Sequence, residues 1–407
     1  MQIEEHQDIS VNLCRFFLKN VGLWTAEDLA EERKRKVMIA YTLWCTGLAL
    51  VVTLRDLYFT WIHNGDILYV LTNCLSVVTA SGKVYLLLIN KAKFINLIVY
   101  MRDKFWNSSY DLEEKEIFDN YRKTCVFFIS SVTTVGICVM LSYVATPFFL
   151  SRASNESERM LIFNMWLSIP TSVPPNYELL LLLQIVTLYH IGVCYFCVDN
   201  IFCMLAIHLT AQFRILQHRF TKLCDVVYET SEKDPELMLR NHTDRCYRKF
   251  KGHIRQHQAL IEFCKKLEDV YTMISFLQVL IFSVLICLFG YQILLADAPL
   301  ARRTIFILLL IGAMFLLFMF TYSCGDVIQQ SDDVAIGAYS TLWSITPMNK
   351  FGKMLRKDLI MVIARSRRFC CLTANGFFPV SLETYTSILS TAVSYFTLIK
   401  SHVEDIT

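Results

Sequence analysis

Five residues near the C-terminal end, Thr384, Ser387, Thr391, Ser394 and Leu398, are spaced 3, 4, 3 and 4 apart. On a helix they share one face. A row of hydroxyls ending in a large aliphatic side chain has two physical uses. It can wet one wall of a pore and shut it with an apolar constriction that dewets. It can also let membrane helices pack closely, because small side chains bring backbones together. Thr386, Ser390 and Thr397 put hydroxyls on a second face, so periodicity leaves both uses open.

A second set mixes aromatic, aliphatic and polar side chains inside apolar stretches: Tyr69, Thr72 and Ser76; Met140, Tyr143 and Phe148; Gln184 and Leu188; Phe306 and Leu310. Such a mixture suits a small, mostly apolar ligand. The amide of Gln184 needs a hydrogen-bond partner in hydrocarbon, from a neighbouring helix or from a ligand. Cys194-x-x-Cys197 has metal-site spacing with His190 one turn earlier, but a fourth ligand is not evident, and these cysteines read as buried packing residues. His190 and His208 read as core or interface histidines. The motifs His-Glu-x-x-His, Gly-x-Ser-x-Gly and Gly-x-x-x-x-Gly-Lys are absent. The chain is therefore not expected to be an enzyme, and no metal or cofactor is implied.

The elements that must position these residues are seven long apolar runs: 37–62, 67–89, 125–150, 177–209, 271–295, 304–324 and 376–399. Each meets the length of about 20 residues that crosses about 30 Å of hydrocarbon. Composition agrees, at 55% hydrophobic and 18% charged, where soluble domains carry about 25% charge. The runs do not alternate polar with apolar residues, and Gly and Pro are scarce, which argues against a β-barrel. The reading is an all-α membrane protein with seven transmembrane helices. Residues 1–30 are polar and acidic, so the first apolar run is expected to direct insertion. The 15 cysteines fall in apolar runs or in segments expected to be cytosolic, which disfavours a disulfide framework.

Charge placement sets the orientation. Of 39 basic residues, 32 fall in segments on one side of the runs and 5 on the other. Cytosolic loops collect Lys and Arg, so the N-terminus is expected inside and the C-terminus outside. Asn155-Glu156-Ser157 is then a glycosylation sequon on an external loop. This topology is the reverse of a G-protein-coupled receptor, and the Asp-Arg-Tyr and Asn-Pro-x-x-Tyr signatures of those receptors are absent. A transporter would need ionisable groups at a midplane site; Arg55, Asp56, Lys83, Glu178 and Asp199 are the candidates, most of them toward span ends.

Several helices exceed the bilayer. Residues 255–295 could reach about 60 Å at 1.5 Å per residue, and the fourth span continues through 214–227. Residues 349–369 are amphipathic, with Leu355, Leu359, Ile360, Val362 and Ile363 among Lys and Arg. These pieces are expected to form a cytosolic helical anchor by packing their apolar stripes together, with a break at 229–235. One membrane domain, 1–407, then comprises a cytosolic segment 1–36, spans one to six with the pocket over 37–330, the anchor region 331–375 and the last span 376–401. Ser381 is a candidate N-cap for that span, with Glu383 in its first turn.

At the C-terminal third the chain resembles insect odorant receptors. Gly325-Asp-Val-Ile-Gln-Gln-Ser331-Asp-Asp-Val-Ala335, then Ala338-Tyr339 and Trp343, is similar to that family's segment after the sixth span. Ser394-Tyr395-Phe396-Thr397-Leu398 resembles its seventh-span signature. Gustatory receptors carry Thr-Tyr, five apolar residues and Gln-Phe; here Thr384-Tyr385 is followed by Thr391-Ala392, which favours the odorant branch over a gustatory-type channel. The resemblance implies an odorant-gated, non-selective cation channel subunit in the plasma membrane of sensory neurons. The implied partners are a co-receptor in a heterotetramer, a small volatile odorant, membrane lipid and permeating cations, with no nucleic acid. It also implies that the last span lines the pore with a gate near Leu398, and that the ligand lies among the outer halves of spans two to six.

Overall fold

A backbone in hydrocarbon has no water to bond, so an apolar run must satisfy its own peptide groups, which a helix does. The computed structural model describes residues 9–406 apart from 27, 107–108, 154–159, 167–172, 225–234, 297, 342 and 347, and leaves aside the side chains of 148–153, 235–241, 345, 399 and 402–406. Asn155 and all but Pro235 of the expected break at 229–235 lie outside the described residues. Among the described residues ten α-helices follow in order: α1 Ile9–Val21, α2 Leu29–Ile62, α3 Ile67–Ile89, α4 Lys91–Met101, α5 Leu112–Ala153, α6 Asn176–Thr221, α7 Pro235–Leu294, α8 Leu300–Tyr339, α9 Lys350–Ser366 and α10 Leu382–Ile406.

Among the described residues, six helices are long and apolar enough to cross a membrane: α2, α3, α5, α6, α7 and α8. The seventh apolar run differs from its expected form in two ways. Its helix starts at Leu382 rather than at residue 376, because Gly376, at φ +76°, makes the turn of a small hairpin. Val380 N donates to Leu372 O and Ala374 N to Phe378 O. In addition α10 carries so many Ser and Thr that its apolarity falls below that of the other six.

The helix α6 runs through the centre. Every residue from 196 to 213 is buried, and α3, α5, α7 and α8 all contact it. Inside this core Lys83 of α3 donates from Nζ to Asp199 Oδ2 at 2.6 Å; the two side chains are 4% and 1% exposed. The ammonium also lies 5.3 Å from the ring centroid of Tyr195 and 5.1 Å from that of Phe282. Two of the candidate transporter charges thus neutralise each other.

The overlong helices continue past the hydrocarbon. At 1.5 Å per residue the 60 residues of α7 span about 90 Å. Its arm before residue 271 packs with the ends of α6 and α8 and with α9. Arg219 of α6 holds Glu114 of α5 through two bonds of 2.7 and 2.8 Å and reaches Gln256 of α7 at 2.9 Å. Burial opposes ionisation of Glu114, but its bonds to Arg219 prevail and hold the carboxyl below its usual range. At Gly337 a Cβ would sit 2.9 Å from Gln217 Cα, so the close crossing of α6 and α8 requires glycine.

Residues 9–21 depart from the polar, acidic reading of the N-terminal segment. Val11, Cys14, Phe17, Leu18 and Val21 follow helical spacing and are buried. At Gly22, φ is +80° and a Cβ would meet Ile39 at 2.8 Å, so glycine alone permits the turn from α1 into α2.

Removing one partner of a buried ion pair leaves an uncompensated charge, which costs about 3–5 kcal/mol. Lys83→Met and Asp199→Leu should each lower stability by that amount, and the double variant should melt near the wild type. Thermal unfolding of the solubilised chain reads this; a double variant as unstable as the singles would remove the pair from its structural role. A second expectation concerns the arm. His257 is 4% exposed, and burial, with Arg365 nearby, lowers its imidazole from 6.5 to about 4. His253 is lowered to about 4 by burial and by Arg219. A folded value below the unfolded one means full stability above about pH 6.5 and progressive loss toward pH 4, about 3 kcal/mol for each group. Protection factors in the arm, corrected for the intrinsic exchange rate, should fall over that window, and His257→Phe should remove about half of the dependence.

Candidate functional site

Between α2, α3, α5, α6 and α8 lies a cavity of about 180 Å³. It sits toward the end bearing the α2–α3 turn, which is the outer end in the charge-derived orientation. Of the residues expected to bind ligand, Ser76, Met140, Tyr143, Gln184 and Leu188 line it. Tyr69, Thr72, Phe306 and Leu310 do not. Tyr69 packs edge-on against Phe306 with centroids 5.9 Å apart, under the Arg302 guanidinium at 4.1 Å. Thr72 is fully buried and donates to Leu68 O at 2.6 Å. Leu310 points off the face on which Leu308, Leu309 and Gly312 meet the cavity. The Phe148 side chain lies outside the described residues.

The lining also departs from spans two to six. The first span contributes Ala49, Val52 and Thr53, whereas α7 stands behind Tyr195 and does not reach the cavity. Tyr195 stacks on Phe282 of α7, centroids 6.3 Å apart.

A stretch of chain between α5 and α6 closes the outer side. Gln184 Oε1 accepts from Ile162 N at 3.0 Å and Phe163 N at 3.2 Å, and its Nε2 donates to Phe163 O at 2.7 Å. The partner of this amide is therefore a loop backbone. Trp166 fastens the other end: its Nε1 donates to Asp56 Oδ1 at 2.7 Å, and its carbonyl accepts from Arg55 at 2.7 Å. Its ring stacks on Phe59 and His63. Arg55 and Asp56, two more candidate transporter charges, thus hold the loop. Phe163 and Met165 form part of the cavity wall, and Tyr143 meets Phe163 at 5.5 Å while donating to Asn73 Oδ1 at 2.9 Å.

Sequence reasoning missed Asn73, Thr187, Phe163 and Met165. Asn73 is an amide within an apolar run, the same signal that singled out Gln184. Thr187 follows Gln184 by three residues and so shares its face. For Phe163 and Met165 periodicity offers no signal, since they lie in irregular chain.

The hydroxyl row lies elsewhere. Tyr385, Ile388, Leu389 and Ala392 turn α10 toward the core, and Thr384, Ser387 and Thr391 face an open groove of about 590 Å³ shared with Phe276, Val279 and Ser283 of α7. Ser394 and Leu398 are exposed beyond it, Leu398 at 66%. The hydroxyls bond their own helix: Thr391 to Ser387 O at 2.8 Å and Ser394 to Ser390 O at 2.9 Å. Within this chain the row is not a packing face. At the helix start Thr384 Oγ1 accepts from Ser381 N at 3.2 Å, so the hydroxyl at the first turn caps the backbone of the N-cap residue. The Cys194 and Cys197 side chains are buried, and His190 Nε2 meets Thr42 Oγ1 at 2.9 Å.

Gln184→Leu keeps the side-chain volume and removes three loop bonds. Exchange at the Ile162 and Phe163 amides should speed up by about tenfold or more, read by hydrogen–deuterium exchange, while α6 itself stays protected. Unchanged exchange would mean that Trp166 alone holds the loop.

The comparisons with known proteins agree with this architecture. The sequence pattern of the family described as 7tm odorant receptor matches residues 63–393. Odorant receptor 13a of Drosophila melanogaster is 26% identical over 412 residues, covering 95% of this chain and 94% of that receptor. Odorant receptor 10 of Aedes albopictus is 24% identical over 229 residues, 56% of each chain. Among solved structures, the olfactory receptor OR5 of Machilis hrabei in complex with eugenol superposes with a TM-score of 0.78 at 14% identity, covering 96% of this chain and 97% of that one. A second structure of the same receptor superposes with a TM-score of 0.74 at 15% identity, again covering 96% of this chain and 97% of that one. With a family match over most of its length and a full-length fold match, this chain belongs to the 7tm odorant receptor family.

Proposed function

We propose that this chain is the ligand-recognising subunit of an odorant-gated, non-selective cation channel, inserted with its N-terminus cytosolic in the plasma membrane of sensory neurons and assembled with a co-receptor. The observation that carries the reading is the pairing of two features on one frame: an apolar cavity at one end, and a hydroxyl-bearing helix face left open beside α7. The Machilis hrabei receptor, similar in fold, holds eugenol, a small neutral molecule. In this reading α10 lines the pore through Thr384, Ser387, Thr391 and Ser394, and Leu398 forms the apolar constriction.

The route between the two is short. The cavity wall residue Tyr195 stacks on Phe282 of α7, with the Lys83 ammonium against both rings. Phe276, Val279 and Ser283, on the next turns of α7, border the groove with α10. A ligand that fits the cavity better when Tyr195 and α7 take their open arrangement stabilises that arrangement by the difference in affinity. Ligand binding then shifts α7 against α10 without any contact between ligand and pore.

Cysteines placed singly at Ser387, Thr391 and Ser394 should react with a water-soluble thiol reagent, faster during stimulation of the co-expressed subunits, with current changed by modification. A cysteine at Ala392, which faces the core and does not border the groove, should not react. Equal protection of all of them would remove α10 from the pore. Leu398→Ser should raise resting leak in the same recordings.

A further inference from the structure

A buried polar atom with nothing to bond sits in the cavity wall. Several other polar groups around it are occupied. Ser76 donates to Thr72 O and Thr53 to Ala49 O, each at 2.9 Å. Asn73 accepts from Tyr143, and Gln184 holds the loop. Thr187 is different. Its side chain lines the cavity and is 9% exposed, yet its hydroxyl has no partner. A helical threonine ordinarily donates to the carbonyl one turn earlier, as Thr210 and Thr321 do. The Thr187 hydroxyl forgoes that bond, and a buried hydroxyl without a partner is a standing deficit that an incoming acceptor or donor relieves.

We propose that Thr187 is the polar anchor of the cavity, and that its ligand is a small, mostly apolar molecule bearing one neutral oxygen: an alcohol, ketone, aldehyde or ester. This rests on the ligand-cavity reading above and deepens it. Size follows from volume. At about 180 Å³ the cavity is little larger than the void of about 150 Å³ that benzene fills, so one ring with a short substituent, or a chain of about eight carbons, is the limit. Charge is excluded because none of the described lining residues is Asp, Glu, Lys, Arg or His, and an amine or carboxylate would lose its hydration without a counter-ion. A second polar group finds fewer open partners, since Ser76, Thr53, Tyr143 and Gln184 are already engaged.

The test uses matched pairs that differ only at the oxygen: acetophenone against α-methylstyrene, and 1-octanol against nonane. Binding to the full-length chain in lipid nanodiscs is read from tryptophan fluorescence and from the shift in melting temperature. At least one oxygenated member should bind about tenfold more tightly than its hydrocarbon partner, the amount one neutral hydrogen bond supplies. Thr187→Val should abolish that preference by weakening the oxygenated member alone, and Thr187→Ser should retain it. The unliganded Thr187→Val chain should melt no lower than the wild type, because the substitution removes an unpaired hydroxyl. A preference that survives in Thr187→Val, or hydrocarbons that bind as well as oxygenated partners to the wild type, would overturn the anchor while leaving the cavity intact as a site. Failure of every probe to bind, or binding undiminished by the cavity-filling Val139→Phe, would overturn the cavity reading and the anchor with it.

Discussion

Lys83 and Asp199 meet in a core from which water is excluded, and the helices can pack only in registers that let them meet. An ammonium or a carboxylate alone in this interior is intolerable, so the two must approach within bonding distance wherever α3 and α6 cross. That requirement fixes the rotation of both helices about their axes. The same rotation turns Asn73 and Ser76 of α3, and Gln184 and Thr187 of α6, toward the common cavity at the outer end. It also places the ammonium against Tyr195 and Phe282, which commits α7 to the same arrangement. Farther along, Arg219 and Glu114 bind α5 and α6 in the arms. Two charge pairs, one in the hydrocarbon and one beyond it, thus hold a long central helix against its neighbours at separate heights.

The cavity follows from what these helices cannot fill. Outside the polar layer, the walls are Val, Leu and Met side chains with the aromatic rings of Tyr143, Phe163 and Phe196. The chain between α5 and α6 turns inward and lines the space with Phe163 and Met165. That covering strip has irregular backbone at the membrane boundary and needs its peptide groups satisfied. Gln184 supplies three of the necessary bonds, which explains an amide in an otherwise apolar helix face. The Gln184 amide finds its partners in the loop backbone, while the neighbouring Thr187 hydroxyl has no partner among the described residues.

The long helices were legible because length and apolarity alone determine them, and their overshoot beyond 30 Å was legible because charge begins where hydrocarbon ends. The amphipathic spacing of α9 could be read in the same way from Leu355, Leu359 and Val362. Three features escaped. The N-terminal helix α1 shows helical spacing at Val11, Cys14, Phe17 and Leu18, but a run that short is outweighed by its charged surroundings in any average. The hairpin before α10 depends on Thr373 reaching Glu268 at 2.5 Å and Asn375 N reaching Thr272 O, contacts between residues about a hundred positions apart. Of the ten residues chosen for the pocket, those that miss it were placed on the right helices but at the wrong rotation. Rotation is set by Lys83 and Asp199, and nothing local to Tyr69 or Phe306 reveals it.

The helix α10 stands apart from the six that satisfy the membrane by composition. Those helices bury one side in the bundle and offer the other to lipid, except α6 over residues 196–213, where every residue is buried. In α10 the core-facing side is a narrow strip of Tyr385, Ile388, Leu389 and Ala392, and the rest of its surface mixes hydroxyls with Val393, Tyr395 and Leu398, all of them exposed. Its hydroxyls bond their own carbonyls, which lets them tolerate an apolar surrounding without requiring one. A face of this kind gains little from lipid and little from bulk water. It is best matched where one flank meets apolar neighbours and the other meets a thin column of water, and the groove beside α7 is open on that flank. The gating reading therefore draws on an energetic property of α10, its indifference between wet and dry surroundings: a constriction can empty and fill at small cost only when neither state is strongly preferred.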